Sequence, residues 1–115
     1  MLILAVREYV RADGGSPFGR WFADLPPQAA ALVTVALARM SAGNLSRVKW
    51  FRGIGEYVID RGPGYRIYLA RDGASLIVLL GGGTKRRQRT DIERALDLYA
   101  EYRSRKAGAA ARPAR

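Results

Sequence analysis

The chain has no cysteine and no histidine among its 115 residues. Without cysteine there is no disulfide framework, no thiol nucleophile and no thiolate metal ligand. Without histidine, Ser-His-Asp and Cys-His triads are excluded, together with imidazole acid–base chemistry. No cofactor or metal is expected. Acidic residues are scarce, with 10 Asp+Glu against 20 Lys+Arg and a net charge of +10. Long hydrophobic runs are missing too. The apolar run at residues 2–6 has no basic region before it and is too short for a signal-peptide core. A membrane-spanning helix needs about 20 apolar residues, and no such stretch occurs. The expected location is the cytoplasm, with no membrane partner.

What is present is 49% hydrophobic and 26% charged, enough apolar material for a core. That excludes a disordered basic tail, in which charge would swamp hydrophobicity. The length fits one domain. The positive balance favours an anionic partner, nucleic acid first. It is uneven, because residues 85–115 hold ten Lys/Arg and only four Asp/Glu.

Residues 2–6 read as a short buried strand. Asp13-Gly14-Gly15-Ser16-Pro17 breaks the chain, and Ser16-Pro17 fits a helix start, with Ser as cap and Pro at the first helical position. Phe18, Trp21, Phe22 and Leu25 follow at helical spacing. Pro26-Pro27 ends this helix and opens a second, over residues 28–40, closed by Gly43-Asn44. Ala29, Leu32, Val33, Ala36, Leu37 and Met40 share one of its faces, and a helix so apolar all round is expected to be buried on more than one side.

Strands follow at 48–51 and 56–60. Gly62-Pro63-Gly64 has the residues a type II turn needs, and Asp72-Gly73 is a strong hairpin signal. Residues 76–80 are apolar on both faces and read as a central strand. Together these form an antiparallel meander, ended by Gly81-Gly82-Gly83. Thr90-Asp91-Ile92-Glu93 matches a capping box, with Thr90 as N-cap of a helix ending near Arg103. Residues 104–115 lack periodicity and read as a frayed basic tail. The domain is therefore residues 1–103, with the order β-α-α-β-β-β-α, an α+β fold: a meander sheet packed by two N-terminal helices and a C-terminal one.

Two groups of residues could carry chemistry. Lys85, Arg86, Arg87 and Arg89 follow the three glycines, where close backbone approach and helix-start N–H groups favour an anion. The spacing is not that of a Walker loop, because Thr84 precedes Lys85 and Arg86 follows it. The second group is Arg61, Tyr65, Arg66 and Tyr68 around the Gly-Pro-Gly turn. Alternation turns Tyr65, Ile67 and Leu69 to the core, and Arg66 and Tyr68 to the exposed or cleft-lining face. Arginine neutralises phosphate and aromatic rings stack on unpaired bases. Fixed guanidinium groups can also stabilise the charge built up when a 2′-hydroxyl attacks phosphorus, which needs no histidine. A lysine crowded by cations has a lowered pKa suited to proton transfer.

Asp13-Gly14-Gly15-Ser16-Pro17-Phe18 with Trp21 and Leu25, Gly43-Asn44-Leu45 and Val48-Lys49 resemble the addiction-module killer proteins, the HigB-like branch of the RelE/ParE toxin superfamily. The resemblance is strongest in Gly62-Pro63-Gly64-Tyr65-Arg66-Ile67-Tyr68, and in Leu79-Leu80-Gly81-Gly82-Gly83-Thr84-Lys85 with Gln88, Asp91 and Ile92. It implies a RelE-like toxin of a type II toxin–antitoxin system, held inactive by a helix-turn-helix antitoxin and reaching operator DNA only through it. The activity implied is cleavage of mRNA on the ribosome, or, in the ParE-like alternative, inhibition of DNA gyrase by protein contact. A degenerate toxin acting only through its antitoxin is the third alternative.

On the ribonuclease reading, the resemblance puts the transition-state arginine on Arg66 and the second cationic contact on Lys85 or Arg86. Tyr65 or Tyr68 would stack on a base or assist proton transfer. Arg61, Arg86, Arg87, Arg89 and Lys49 would hold the RNA backbone. Two positions depart from the family pattern: Val58 stands where an arginine is usual, and Gly83-Thr84-Lys85 replaces Gly-Asp-Lys.

Overall fold

The computed structural model describes residues 3–110. Strand β1 (Ala5–Glu8) leads to helices α1 (Pro17–Ala23) and α2 (Pro27–Ser41). Strands β2 (Val48–Phe51), β3 (Ile54–Ile59), β4 (Tyr65–Asp72) and β5 (Leu76–Thr84) follow, then a single 3₁₀ turn (Lys85–Arg87) and helix α3 (Gln88–Ala110). The α+β class agrees with the sequence, but four strands rather than three follow the two helices, so the order is β-α-α-β-β-β-β-α.

The sheet is mixed rather than a pure meander. Its strands run in the order β1-β5-β4-β3-β2. β2 to β5 are antiparallel, whereas β1 pairs parallel to β5, with Ala5 opposite Leu76 and Glu8 opposite Leu79. This places β5 inside the sheet, flanked on both sides, which is why residues 76–80 are apolar in every position.

Each face carries its own core. Leu4, Phe18, Val33, Met40, Ile67, Leu69 and Ile77 pack beneath α1 and α2. Tyr9, Ile54, Tyr68, Val78, Leu80, Ala95 and Leu98 pack beneath α3. The strand alternation that separates Ile67 and Leu69 from Tyr68 and Ala70 therefore sorts residues between two cores, not between core and solvent. Arg66 and Tyr68, expected on an open or cleft-lining face, are both buried because α3 covers that side, although Tyr68 does line a cleft between α1 and α3.

Ser16 caps α1 as expected, accepting from the Gly19 N–H at 2.9 Å while Pro17 occupies the first turn. α2 is buried along one face only, through Ala29, Val33, Ala36 and Met40. Its opposite side stays open, with Val35 49% exposed, so burial on more than one side is not realised within the chain.

Three boundaries differ from expectation. Gly81-Gly82-Gly83 do not end the sheet; they continue β5 against β4, opposite Tyr68, Ile67 and Arg66. Thr90 is not a cap, since the 3₁₀ turn starts the helical segment earlier and leaves Thr90 inside α3. α3 also runs beyond Arg103 to Ala110, so residues 104–110 are helix rather than frayed tail. Polar tethers hold this extension: Arg105 donates to the Val10 carbonyl at 2.8 Å, and Lys106 pairs with Asp72 at 2.6 Å. Residues 111–115 of the expected tail, and Leu2 of the expected first strand, lie outside the described residues. No helix among the described residues is long and apolar enough to cross a membrane.

Candidate functional site

The end of the sheet where β4 begins and β5 finishes gathers the polar groups. Arg66 faces α3, one residue from the turn, and is 9% exposed, while Glu56 on β3 is 2% exposed. The Arg66 Nε lies 3.6 Å from Glu56 Oε2. Gln88, at the start of α3, donates to the same carboxylate oxygen at 2.9 Å. The Arg66 Nη1 donates to the Gly64 carbonyl at 2.9 Å, and the Lys85 backbone N–H donates to that same carbonyl at 2.9 Å. One carbonyl thus fixes the arginine side chain and the start of the basic segment together. Burying an arginine costs several kcal/mol unless a counter-charge and hydrogen bonds answer it; here Glu56 supplies the counter-charge and Gly64 one hydrogen bond, while the Arg66 Nε has no hydrogen-bond partner among the described residues.

A cleft of about 350 Å³ opens beside this group, between α1, the end of β5 and the first turns of α3. Glycine makes it possible. A Cβ on Gly82 would stand 2.2 Å from Trp21 Cε3, so the indole lies directly on the strand backbone. A Cβ on Gly83 would collide with the Asp91 carboxylate, which lies over that residue. β1 stops at Glu8, opposite Leu79, so β5 has no strand neighbour on this edge beyond that point. Arg20 and Trp21 of α1 with its C-cap Asp24 form one wall, and Arg87, Asp91 and Arg94 the other.

Two polar atoms at this cleft are buried without a partner among the described residues, the Tyr68 hydroxyl and Asp91 Oδ2. Each such group costs about 1–3 kcal/mol. Burial pushes the Asp91 pKa up, against the opposing pull of the Arg87 and Arg94 guanidinium groups. Burial, then the nearby Glu56 carboxylate, pushes the Tyr68 hydroxyl well above the usual phenol range. Tyr68 is therefore a neutral donor at physiological pH and a poor base.

The residues singled out by sequence separate into three places. The Arg66 side chain and the Lys85 backbone N–H share the Gly64 carbonyl, with the Lys85, Arg86 and Arg89 side chains exposed on the same segment and Arg87 on the cleft wall. Tyr68 lies at the cleft, but Tyr65 packs against the core on the α2 side, opposite Arg66. Arg61 does not join the group; it lines a separate groove of about 240 Å³ with Arg39 and Arg47 on the α2 side. Lys49 is exposed on β2, opposite Glu56 and two strands from β4, or roughly 10 Å across the sheet.

Glu56 was not legible as a site residue, although an acid among Ile54, Tyr57, Val58 and Ile59 is the kind of residue a strand buries only with a partner. Asp91 was hidden inside an apparent capping box, and Trp21 inside an apolar helix face.

Fold and site together define a small α+β protein whose mixed sheet is helix-covered on both faces and ends in a basic cleft. No family model matches the chain. It is 38% identical over 86 residues to a Haemophilus influenzae protein described as "Uncharacterized protein", across 73% of this chain and 87% of the relative. The chain belongs to the same family as that protein.

Proposed function

We propose that the protein is the toxin of a type II toxin–antitoxin pair, a RelE-like endoribonuclease that cleaves mRNA on the ribosome in the cytoplasm and is silenced by a helix-turn-helix antitoxin. The observation that carries the reading is the meeting of the Arg66 guanidinium and the Lys85 backbone N–H at the Gly64 carbonyl, which sets Arg66 at the head of the exposed Lys85–Arg89 segment. The 2′-oxygen attacks phosphorus and gives up its proton to a base, the bond from phosphorus to the 5′-oxygen breaks, and the departing 5′-oxygen takes up a proton from an acid or water, leaving a 2′,3′-cyclic phosphate and a 5′-hydroxyl. Charge on the phosphoryl oxygens peaks midway. A guanidinium held in place beforehand stabilises that charge without reorganising. Arg66 is so held, by the Gly64 carbonyl on Nη1 and by the Glu56 charge 3.6 Å from Nε. Lys85 binds the adjacent phosphate or moves the proton, and Arg86, Arg87 and Arg89 grip the backbone, which makes binding salt-dependent. The open face of α2 around Val35 offers the antitoxin an exposed apolar surface.

Expression of the intact chain is expected to arrest growth and create new mRNA 5′ ends within codons of translated messages. Arrest with intact mRNA overturns the reading, as does full toxicity of Arg66→Ala. A second reading, antitoxin binding without catalysis, draws on Val58, which pairs with Arg66 across the sheet and contributes no charge there. Tight antitoxin binding without arrest or cleavage would select it.

A further inference from the structure

α2 carries no charge before Arg39 in its last turn, and buries one face through Ala29, Val33, Ala36 and Met40. Ala31, Val35 and Ala38 follow each other along its exposed side, an apolar stripe that no other element of the described residues covers. Beside this stripe a groove of about 240 Å³ lies between α2 and the end of β3. Its floor is apolar, built from Leu32, Ala36, Tyr57 and Ile59. Its rim carries the exposed Arg39, Arg47 and Arg61 against a single carboxylate, Asp60. Arg11, Arg52 and Lys106 each pair with a carboxylate elsewhere on the surface, whereas none of these three guanidinium groups has an ion-pair partner among the described residues.

We propose that the groove and stripe dock an acidic amphipathic helix of a protein partner, its apolar side chains on Val35 and the groove floor and its carboxylates on the three arginines. Charge selects the occupant. The chain carries +10, and guanidinium forks pair bidentately with carboxylates. A second copy of this chain meets the opposite condition, because a two-fold contact sets the same arginines against each other. RNA matches the surface poorly. The groove offers no exposed ring for a base to stack on, Tyr57 being 2% exposed, and phosphates would leave the apolar stripe uncovered. The small side chains of Ala31 and Ala38 let a second helix approach to about 8–10 Å between axes. The groove is also smaller than most small-molecule sites, which begin at roughly 300 Å³, and is sized for a few side chains. The partner's identity rests on the toxin–antitoxin reading, in which this helix belongs to the antitoxin. The groove lies on the α2 side of the sheet and Arg66 faces α3, so docking and cleavage are separable.

Fluorescence anisotropy of a labelled synthetic peptide with the full chain tests the site. The peptide carries leucine at i, i+3, i+4 and i+7 and glutamate between, the pattern of a helix laid in a groove. Saturable binding is expected, weakened about tenfold by Val35→Glu. Arg39→Glu combined with Arg47→Glu is expected to lose this peptide and to bind a version with lysine in place of glutamate. All three positions are exposed, and circular dichroism confirms that each variant folds. No binding by the parent overturns the proposal, as does equal binding of the lysine version or of one with the leucine spacing scrambled, or indifference to Val35→Glu. Displacement of the peptide by an equal concentration of a uridine oligonucleotide overturns it in favour of a nucleic-acid surface. Self-association that Val35→Glu abolishes overturns it in favour of a homodimer face. The mRNA 5′ ends made by the parent chain are read alongside. Peptide binding without cleavage keeps the docking site and removes the ribonuclease, whereas cleavage without peptide binding does the reverse.

Discussion

Removing the Glu56 carboxylate isolates a buried cation. The Glu56 and Arg66 side chains are 3% and 10% exposed, so water gives the guanidinium little help when its partner is lost. In Glu56→Ala, Arg66 keeps only the Gly64 carbonyl. Breaking a buried pair from one side costs about 3–5 kcal/mol, and for a domain of this size each kcal/mol shifts Tm by about 4 °C. The expected fall is therefore about 12–20 °C. Replacing both partners by apolar residues, Glu56→Leu with Arg66→Met, removes the desolvation cost as well as the attraction. The double variant is expected to melt above Glu56→Ala, a non-additivity that reports the coupling between the two. Thermal unfolding of the parent, Glu56→Leu, Arg66→Met and the double variant, followed by circular dichroism at neutral pH, gives the four midpoints of the cycle, with Glu56→Ala measured beside them. A Glu56→Ala midpoint within about 3 °C of the parent, or strict additivity, would show that the pair is not coupled as described.

Other outcomes follow from the same geometry. Arg66→Ala is expected to lower the rate of RNA cleavage about 10²–10³-fold, the loss typical of one preorganised donor, while circular dichroism confirms the fold. Glu101 accepts from Arg11 at 2.8 Å and from the Tyr9 hydroxyl at 2.5 Å, which holds its carboxyl down at about 2 instead of 4.5. A depressed folded-state pKa gives stability that is complete above 4.5 and lost as pH falls towards 2, so urea midpoints should decline across that window, and less steeply in Glu101→Gln. Truncation after Arg103 removes the Arg105 and Lys106 tethers to Val10 and Asp72; hydrogen exchange should then quicken in the last turns of α3, and unchanged protection would show that the extension is inert. Gly82→Ala forces a methyl against Trp21, and overpacking of this kind costs about 1–3 kcal/mol, read as a lower Tm with altered Trp21 fluorescence.

The elements were largely legible because their signals are local. Ser16-Pro17 capped α1, Pro27 opened α2, and the apolar run at 76–80 marked a strand buried on both faces. What failed depended on distant partners. The parallel pairing of β1 with β5 is set by packing across the whole chain, and nothing in residues 5–8 encodes its direction. Gly81-Gly82-Gly83 read as a terminator because glycine is rare in strands, whereas here its missing side chain admits Trp21 and Asp91. The end of α3 was invisible to an apolar periodicity, since residues 105 and 106 are held by polar tethers. In the site, Arg66 and Lys85 were legible, but the carboxylates that complete it were not. Glu56 pairs with Arg66 from a neighbouring strand, and Asp91 meets Gly83 across a helix–strand contact.

Mapping mRNA 5′ ends after brief expression, in parallel for the parent chain and Arg66→Ala, tests the ribonuclease reading most directly. New ends within the codons of translated messages for the parent, and their loss in Arg66→Ala, are the predicted result. An unchanged transcript profile while growth stops would contradict it and move the target from RNA to a protein.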